Sequence, residues 1–361
     1  MLDRAYAVIL AGGKGERFWP LSTSRRPKQV LSLVGNKALM ALALDHLKGL
    51  IPPKRIIVIT SADLVAITRK AAPQLPRANI IGEPFGRDTA AACALGSSLV
   101  KARDPRATFC VLTADHIIKD KDIFQQTLRN GFEAAMSADV LVTIGIKPTC
   151  PHTGFGYIEV ARRLPQKRGI AFFKARRFVE KPDRKTAERY VQSGRFFWNA
   201  GMFIWSVESF QRALRRYAPG LFRMSEVMTR AAGRRGFYAQ LAREYRRLEK
   251  ISIDYALMEK ADNIVMARGV FRWDDVGSWS AIENHFDKDK DGNLLLGLCE
   301  AIDSTGNLVV SRERLTALIG VKGLVVVQAG QATLICAKNR AQDVKKMVQK
   351  LAASGKYPQV L

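Results

Sequence analysis

Residues 8–20 read Val-Ile-Leu-Ala-Gly-Gly-Lys-Gly-Glu-Arg-Phe-Trp-Pro, and residues 26–29 read Arg-Pro-Lys-Gln. A short apolar run stops at three glycines, and cationic side chains follow at Lys14, Arg17 and Lys28. Glycines let a backbone come close to a ligand, and successive N–H groups beside cations suit a polyphosphate. The stretch matches neither the Walker loop nor the G-x-G-x-x-G fingerprint. It predicts a strand that opens either into a phosphate-binding loop or into a plain structural turn.

Composition limits the class of protein. The chain has 361 residues and a hydrophobic fraction of 47%, which is typical of a globular protein with a substantial core. Its apolar runs are shorter than the ~20 residues of a membrane helix, and the start of the chain does not resemble a signal peptide. Five cysteines are widely spaced, without C-x-x-C. They predict reduced, mostly buried thiols in a cytoplasmic protein and no metal site built from Cys and His.

The net charge of +25 is unusual for a globular protein. It is compatible with nucleic-acid binding, a membrane-surface role or phosphorylated substrates. Ten arginines lie between residues 212 and 247, at a spacing that suits the outer faces of amphipathic helices. No aromatic-interleaved RNA-binding signature accompanies them. We therefore predict a solvated helical surface rather than a docking surface, with no nucleic-acid or membrane partner.

Apolar strands alternate with helices in the first half of the chain. The predicted strands are Ala5–Leu10, Arg55–Thr60, Asn79–Ile81, Thr108–Thr113 and Val140–Ile146. The predicted helices are Ala38–Leu50, Asp63–Ala72, Thr89–Ala102 and Asp122–Met136. This alternation indicates an α/β protein with a parallel sheet covered on both faces, and ligands in such sheets bind at the carboxyl ends of the strands.

Asp115 directly follows one of these predicted strands. A carboxylate at the end of an apolar run is costly unless it is paired or bound to a metal. Near a phosphate loop it suggests a Mg²⁺ ligand, because Mg²⁺ takes one or two carboxylates together with substrate phosphates. The alternative is a helix N-cap. We expect the neighbouring His116 to be structural rather than a catalytic base.

Asn199 interrupts an aromatic run in the middle of the chain, Phe197–Trp205. An amide among apolar neighbours needs hydrogen-bond partners, so it predicts either contact with a polyhydroxylated ligand or a buried structural amide. Ser252 precedes a predicted helix as a candidate N-cap. The run Trp-Asp-Asp-Val-Gly-Ser-Trp at 273–279 forms a second acidic turn next to glycine.

Taken together, these motifs resemble the mannose-1-phosphate guanylyltransferase family of sugar-phosphate nucleotidyltransferases. The similarity spans residues 10–279. In order, the matching motifs are L-A-G-G-K-G-E-R-F-W-P-L-S with R-P-K-Q, E-P-F-G-R-D-T-A, L-T-A-D-H, G-F-G-Y-I, F-V-E-K-P, W-N-A-G-M-F-I-W, S-I-D-Y-A-L-M-E-K and W-D-D-V-G-S-W. The resemblance implies transfer of GMP from GTP to mannose 1-phosphate, with Mg²⁺. It also implies a Rossmann-like three-layer αβα nucleotidyltransferase domain over residues 1–285 and a small left-handed β-helix-like domain over 286–361.

The resemblance also implies a role for each site residue. Nucleotide contacts would come from Leu10, Ala11, Gly12, Gly13, Gly15, Arg17, Lys28, Glu83, Arg87, Asp88, Thr89 and Ala90. Sugar-phosphate contacts would come from Gly156, Glu180, Lys181, Asn199 and Asp254. Asp115 and Asp275 would hold the metal, with Asp274 the weaker candidate. The catalytic set would be Arg17, Lys28, Asp115, Lys181 and Asp275. Lys181 also has a structural alternative, as a strand-end lysine paired with Glu180.

These residue types suit the implied chemistry. A sugar phosphate is already an anionic nucleophile, so the reaction needs charge neutralisation and in-line positioning rather than a general base. Three alternatives stay open: another hexose or heptose 1-phosphate, another nucleoside triphosphate, and a non-catalytic basic binding protein on the same fold.

Two positions depart from the family pattern. Glu16 stands where many relatives have Thr or Ser, and we expect its side chain to pair with Lys14 or an arginine. Asp88 replaces the usual Asn, which removes a hydrogen-bond donor. The residue's part in recognising the base or the ribose is therefore undecided.

The character of the chain changes after Trp279. A charged linker over residues 286–292 precedes short Val, Leu and Ile strands, and a closing helix over 340–351 would have Val344, Met347, Val348 and Leu351 on one face. Because the given chain ends at Leu361, we expect transferase activity alone, without the isomerase domain of longer relatives. By analogy, the β domain could support a homodimer.

Overall fold

The alternating pattern recurs in the computed structural model, which describes residues 2–165 and 169–361. In chain order the strands are β1 (Ala5–Leu10), β2 (Ile56–Ser61), β3 (Ile80–Glu83), β4 (Thr108–Thr113), β5 (Ile117–Ile118), β6 (Leu141–Ile146), β7 (Tyr157–Arg163), β8 (Phe172–Val179), β9 (Phe196–Ser206), β10 (Ile264–Gly269), β11 (Trp273–Asp274), β12 (Leu294–Ile302), β13 (Leu308–Ile319), β14 (Leu324–Ala329) and β15 (Ala332–Ala337).

Helices separate most of these strands. The α-helices are α1 (Leu39–Leu47), α2 (Val65–Ala71), α3 (Asp88–Arg103), α4 (Lys121–Ser137), α5 (Arg184–Ser193), α6 (Val207–Tyr217), α7 (Pro219–Ala231), α8 (Phe237–Arg246), α9 (Trp279–Ile282) and α10 (Val344–Ser354). Short 3₁₀-helices include Glu16–Phe18, Lys28–Val30 and Lys338–Asp343. The helix predicted after Ser252 is a single π-helical turn, Asp254–Met258, and the Ser252 hydroxyl accepts from the Tyr255 N–H at 3.4 Å, as predicted for its N-cap. The strands and helices predicted over residues 5–146 are confirmed, with boundary shifts of a few residues.

Within the described residues the chain forms two compact units. The first comprises the described residues of Met1–Gly12, Ala43–Ala114 and Ile118–Trp273. The second comprises Gly13–Leu42, Asp115–Ile117 and Asp274–Leu361. This division by contacts is not a single cut after residue 285, because an early segment of the chain packs with the last third. The domain boundaries at 1–285 and 286–361 stay a prediction.

The first unit contains a mixed sheet, in which nine of the described strands have the order β3-β2-β1-β4-β9-β6-β10-β8-β7. Strands β1 to β4 are parallel, with Leu10 beside Thr113 at their carboxyl ends. Strand β9 is antiparallel to both β4 and β6, and β8 is antiparallel to β10. The prediction of a parallel sheet is therefore right for β1–β4 and wrong for the sheet as a whole. Apolar composition reports the burial of a strand but not its direction, which explains the difference.

Close packing in the first unit depends on small residues of α3. Ala90 to Leu95 are buried, and a Cβ atom added at Gly96 would lie 2.5 Å from Val8 Cγ1 on β1. Only glycine permits this approach of the helix to the sheet.

The second unit contains the smaller sheet, in the order β12-β13-β14-β15. Strands β12, β13 and β14 run parallel, and β15 is antiparallel to β14. Its core includes Trp279, which is 1% exposed and meets Phe18 edge-on at 5.2 Å between ring centroids. The indole N–H of Trp279 donates to the Trp19 carbonyl at 3.2 Å. Aromatic burial thus ties the residues after the glycine loop to the C-terminal strands of the same unit.

The structure bears on the predictions for the arginines, the closing helix and the cysteines. The ten arginines between 212 and 247 are all exposed, which a solvated face and a docking surface both require, so the choice of a solvated face stays a prediction. In α10, Val344 is buried and Val348 and Leu351 pack on the core, whereas Met347, which is predicted on the same face, is 46% exposed. The reason is that the helix packs over a narrow face that Met347 does not share. All five cysteines are free thiols, but only Cys93 and Cys110 of the five are buried, so the prediction of mostly buried thiols is wrong.

No helix in the described part of the chain is long and apolar enough to cross a membrane.

We predict that Gly96→Ala lowers the free energy of unfolding by about 1–3 kcal/mol, because the added methyl group must displace Val8 or shift α3. Urea denaturation of both proteins measures the difference. Gly220→Ala is the control, because its added Cβ would meet nothing closer than Arg223 at 4.0 Å. Equal stability of Gly96→Ala and wild type would contradict the proposed close approach.

Candidate active site

The glycine loop in the second unit is shaped by Gly15. Its φ of 68° lies in the left-handed region, and an added Cβ would lie 2.4 Å from Lys28 Cβ. The Ser22 hydroxyl donates to the Gly15 carbonyl at 2.5 Å, which fastens the turn. Position 15 therefore requires glycine, both for its conformation and because Lys28 packs against it.

A cavity of about 390 Å³ lies beside this loop. The side chains that line it carry four cations and three carboxylates. The lining residues are Gly13, Lys14, Gly15, Glu16, Arg17, Phe18, Lys28, Asp115, His116, Asp275, Gly277 and Lys345. The second unit thus assembles the predicted loop residues Gly13, Gly15, Arg17 and Lys28 with the predicted metal ligands Asp115 and Asp275.

Lys28 is only 5% exposed and holds the acidic residues together. Its Nζ donates to Asp115 Oδ2 at 3.0 Å and to the Asp275 carbonyl at 2.8 Å. Burial alone would raise the pKa of Asp115, but the charge and hydrogen bond of Lys28 hold that pKa below its ordinary value. Asp115 is therefore ionised at neutral pH, and it accepts from a lysine instead of capping a helix.

Asp275 differs from its neighbour Asp274. Burial and the nearby charges of Asp274 and Asp115 raise the pKa of Asp275 to about 6, although Lys28 and Arg17 oppose the shift. The carboxylate of Asp274 accepts from the Val276 N–H at 2.7 Å and from Asn284 at 3.1 Å, and it pairs with His285 at 3.0 Å. Asp274 is hydrogen bonded within its own turn. Asp275 is therefore the acid of this pair that lines the cavity.

Burial lowers the pKa of His116 to about 4, despite the carboxylates of Asp115 and Asp274 nearby. The imidazole is therefore neutral at pH 7, and its low pKa makes it a weak proton acceptor. This fits the expected structural role.

Glu16 has a different partner from the one expected. Its Oε2 lies 4.0 Å from Lys345 Nζ, at the start of α10, and the expected pairing with Lys14 or an arginine is wrong. Spacing along the chain could not reveal this partner, because Lys345 comes 329 positions later and meets Glu16 only in the folded unit.

The first unit carries the residues predicted beside the base and ribose. Leu10 ends β1, and Ala11 is held by its N–H to the Ile59 carbonyl and by the Thr60 hydroxyl. A Cβ on Gly12 would lie 3.5 Å from Glu83 Oε2. Glu83 accepts from the Tyr245 hydroxyl at 3.0 Å, and burial raises its pKa to about 7. Tyr245 was missed by sequence reasoning because nothing in its basic neighbourhood distinguishes it.

Arg87 to Ala90 are fixed mainly by protein contacts. Arg87 Nε donates to the Tyr245 carbonyl at 2.9 Å, and Thr89 Oγ1 accepts from the Ile253 N–H at 2.9 Å. Asp88 has a φ of 66°, and its carboxylate accepts from the Thr89 N–H at 2.7 Å. Ala90 is fully buried at the start of α3.

The predicted sugar-phosphate residues also come together in the first unit. Asn199 donates to Asp254 Oδ1 at 3.0 Å, and its carbonyl oxygen accepts from the Gly201 N–H and the Thr143 hydroxyl. A Cβ on Gly156 would lie 2.4 Å from Glu180 Oε2. The Asn199 side chain is thus hydrogen bonded within the protein and orients the carboxyl group of Asp254, and Gly156 leaves the space that Glu180 occupies.

Glu180 and Lys181 form an ion pair of 2.6 Å. The Glu180 side chain is 8% exposed and that of Lys181 is 59% exposed. Burial, and then the charge of Glu180, raise the pKa of Asp254 to about 7. The cluster therefore offers a hydrogen-bonding carboxyl group, a carboxylate and an exposed cation.

Backbone strain accumulates at these sites. Among the described non-glycine residues, positive φ angles occur at Asp88, Lys181, Val276 and Asp303. The first two are predicted site residues, and Val276 follows Asp275. Such conformations cost on the order of 1–3 kcal/mol each and persist where the surrounding structure imposes them, often at functional sites.

We predict that Asp254 makes stability depend on pH. Between the ordinary carboxyl pKa of about 4 and the folded pKa of about 7, the folded state binds a proton that the unfolded state has lost, so stability falls as pH rises. Relative to Asp254→Asn, wild type should lose roughly 1–3 kcal/mol of unfolding free energy across this range. Urea denaturation at several pH values measures the difference. If the difference in unfolding free energy between the two proteins does not change with pH, the raised pKa of Asp254 is refuted. Glu83 contributes equally to both proteins, so its effect cancels in the difference.

Comparison with known proteins agrees with these observations. A family model described as nucleotidyl transferase matches residues 6–292, and one described as a MannoseP isomerase/GMP-like beta-helix domain matches residues 300–351. These matches confirm the predicted fold class, an α/β nucleotidyltransferase domain followed by a small β-helix-like domain.

Individual relatives extend over nearly the whole chain. A mannose-1-phosphate guanylyltransferase of Escherichia coli K12 is 35% identical over 360 residues, covering 98% of this chain and 75% of the relative. One from Klebsiella pneumoniae is 35% identical over 352 residues, covering 95% and 73%. A solved structure from Thermus thermophilus, described as a mannose-1-phosphate geranyltransferase, has a TM-score of 0.86 and 34% identity over 97% of this chain and 99% of its own. The chain belongs to the mannose-1-phosphate guanylyltransferase family of nucleotidyltransferases.

Proposed function

We propose that this protein transfers GMP from GTP to α-D-mannose 1-phosphate, giving GDP-mannose and pyrophosphate. The observation that carries the proposal is the cavity of the second unit, where a glycine loop, Lys28 and Arg17 face Asp115 and Asp275. Membership of the guanylyltransferase family supports the choice of both substrates.

The residues of each unit suit a different part of the substrates. In the second unit, the loop N–H groups of Gly13 and Gly15 with Arg17 and Lys28 would bind the triphosphate. In the first unit, the segment from Leu10 to Gly12, Glu83 and the 87–90 stretch would bind the guanosine. The hydroxyl groups of mannose would be bound by Gly156, Glu180, Asn199 and Asp254, and its phosphate by Lys181.

A divalent cation fits Asp115 and Asp275, and we propose Mg²⁺. Both residues supply the hard oxygen ligands that Mg²⁺ prefers. In residues 2–165 and 169–361 no cluster of three or more His, Cys, Asp or Glu side chains could hold a metal. Two carboxylates are nevertheless enough for an ion that shares its remaining positions with phosphates and water. When bound, the ion would neutralise charge on the phosphates.

The chain's own residues can then do the remaining work. A phosphate oxygen of mannose 1-phosphate attacks the α-phosphorus of GTP, and the bond from that phosphorus to the bridging oxygen breaks, releasing pyrophosphate. The nucleophile is anionic, so no base has to remove a proton. Lys181 would offset the charge of the attacking phosphate, and Arg17 and Lys28 that of the leaving group. Neutral His116 does not add to the positive charge.

Two further proposals concern the state of the protein. We propose a homodimer, because Ile302, Ile319 and Ile335 of the small sheet are each more than 60% exposed. We also propose a cytoplasmic location, where GTP and sugar phosphates would meet the enzyme.

We expect pyrophosphate release with GTP and mannose 1-phosphate to exceed that with every other pair. The assay crosses GTP, ATP, UTP, CTP and dTTP with several hexose and heptose 1-phosphates in Mg²⁺. Faster release with another pair would reassign the substrates, and Asp88 is the first residue to test in that case. No release with any pair would favour the alternative of a non-catalytic basic binding protein.

We expect Asp115→Ala and Asp275→Ala each to lower kcat by at least roughly 10³-fold, because each removes a proposed metal ligand, and Asp115→Ala also removes the ion-pair partner of Lys28. Circular dichroism and thermal unfolding check the fold. Asp274→Asn is the comparison, since Asp274 is hydrogen bonded within its own turn and its loss should be much smaller. Near-normal turnover in either alanine variant would remove the shared-metal assignment.

A further inference from the structure

Lys345 is the one residue of the cavity lining that comes from α10. Its Nζ lies 4.0 Å from Glu16 Oε2, and the two side chains are 50% and 29% exposed. Neither residue has a role in the substrate assignments above. The pair therefore presents a cation and an unexplained acid at the mouth of the candidate phosphate site.

The position of Lys345 is well defined by its neighbours. The preceding residue, Val344, is 3% exposed and packs in the same core as Phe18 and Trp19. The Trp19 indole N–H donates to the Val360 carbonyl at 2.7 Å. Val344 thus anchors the first turn of α10 in the core that contains Phe18 and Trp19, and the bond from Trp19 fixes the segment that follows the helix.

The contact with Glu16 is weak enough to exchange. An ion pair of 4.0 Å between partly exposed side chains contributes little to stability, because water screens the two charges. Lys28, by contrast, is anchored by Asp115 and the Asp275 carbonyl, so it faces the phosphate site without having to exchange a partner. A polyphosphate carries several negative charges and more acceptor oxygens than one carboxylate, so it should compete effectively for the Lys345 ammonium group.

We propose that Lys345 binds the polyphosphate, moving from Glu16 to the anionic oxygens of the triphosphate and of the released pyrophosphate. The identity of the ligand rests on the proposed function. Glu16 holds the lysine over the cavity in the free protein and competes with the ligand for it. This arrangement gives the small β domain and its closing helix a direct part in substrate binding.

The test measures binding of inorganic pyrophosphate with Mg²⁺ to the full chain by calorimetry, without mannose 1-phosphate. We expect Lys345→Gln to weaken binding by roughly 5- to 30-fold and Lys345→Arg to restore most of it. Lys346→Gln is the matched control, because Lys346 pairs with Asp343 at 2.7 Å, is 79% exposed and does not line the cavity. An equal effect of Lys345→Gln and Lys346→Gln would overturn the proposal, since it would reflect only net charge.

A double-mutant cycle tests the exchange with Glu16. We expect Glu16→Gln to strengthen pyrophosphate binding by roughly 2- to 5-fold in wild type and to have a much smaller effect in Lys345→Gln, because the competition is then gone. The same gain in both backgrounds would overturn the exchange. Thermal unfolding of each variant confirms that the fold is unchanged.

The outcome separates this inference from the proposed function. If no nucleotide and sugar phosphate pair reacts but Lys345→Gln still weakens pyrophosphate binding, the inference stands and the proposed reaction fails. If GTP and mannose 1-phosphate react but Lys345→Gln binds pyrophosphate as wild type does, the inference alone fails.

Discussion

The candidate active site depends on the contacts of the buried Lys28 ammonium group with Asp115 and with the Asp275 carbonyl. A lysine that is 5% exposed must be paired, and its partners come from positions 115 and 275. The positive charge of Lys28 offsets the repulsion between the carboxylates of Asp115 and Asp275. Both can therefore line the same cavity. Gly15 is part of this constraint, because any side chain there would strike Lys28.

Each of the two units contains carboxyl groups whose pKa values are raised, mainly by burial. Asp275 keeps a pKa of about 6 because burial and neighbouring acids oppose its charge, and Asp254 and Glu83 keep pKa values of about 7 for similar reasons. Perturbed carboxyl groups of this kind cluster at functional sites, where burial is arranged for a ligand rather than for stability. The left-handed backbone at Asp88, Lys181 and Val276 follows the same logic, since strain of this kind persists only where the fold imposes it.

Much of the fold could be predicted locally. Strand β4 has the predicted limits, and most other elements over residues 5–146 shift by only a few residues, because buried strands and amphipathic helices leave a periodic apolar pattern. Strand direction could not be predicted, since β6 to β10 join a mixed sheet whose pairing depends on long connections. The exposure of Met347 could not be predicted either. Helical spacing shows which residues share a face of the helix but not how wide the buried part of that face is.

The sequence by itself determined the α/β class, the glycine loop and the residues that form the two clusters, because those motifs are local and chemically distinctive. Only the tertiary structure decided how they are paired: Lys28 with Asp115, Glu83 with Tyr245, Asp274 with His285 and Glu16 with Lys345. These contacts join positions from 11 to 329 residues apart. An ion pair or hydrogen bond depends on distances of a few ångströms, which are set by the packing of the whole unit and leave no periodic trace in the chain.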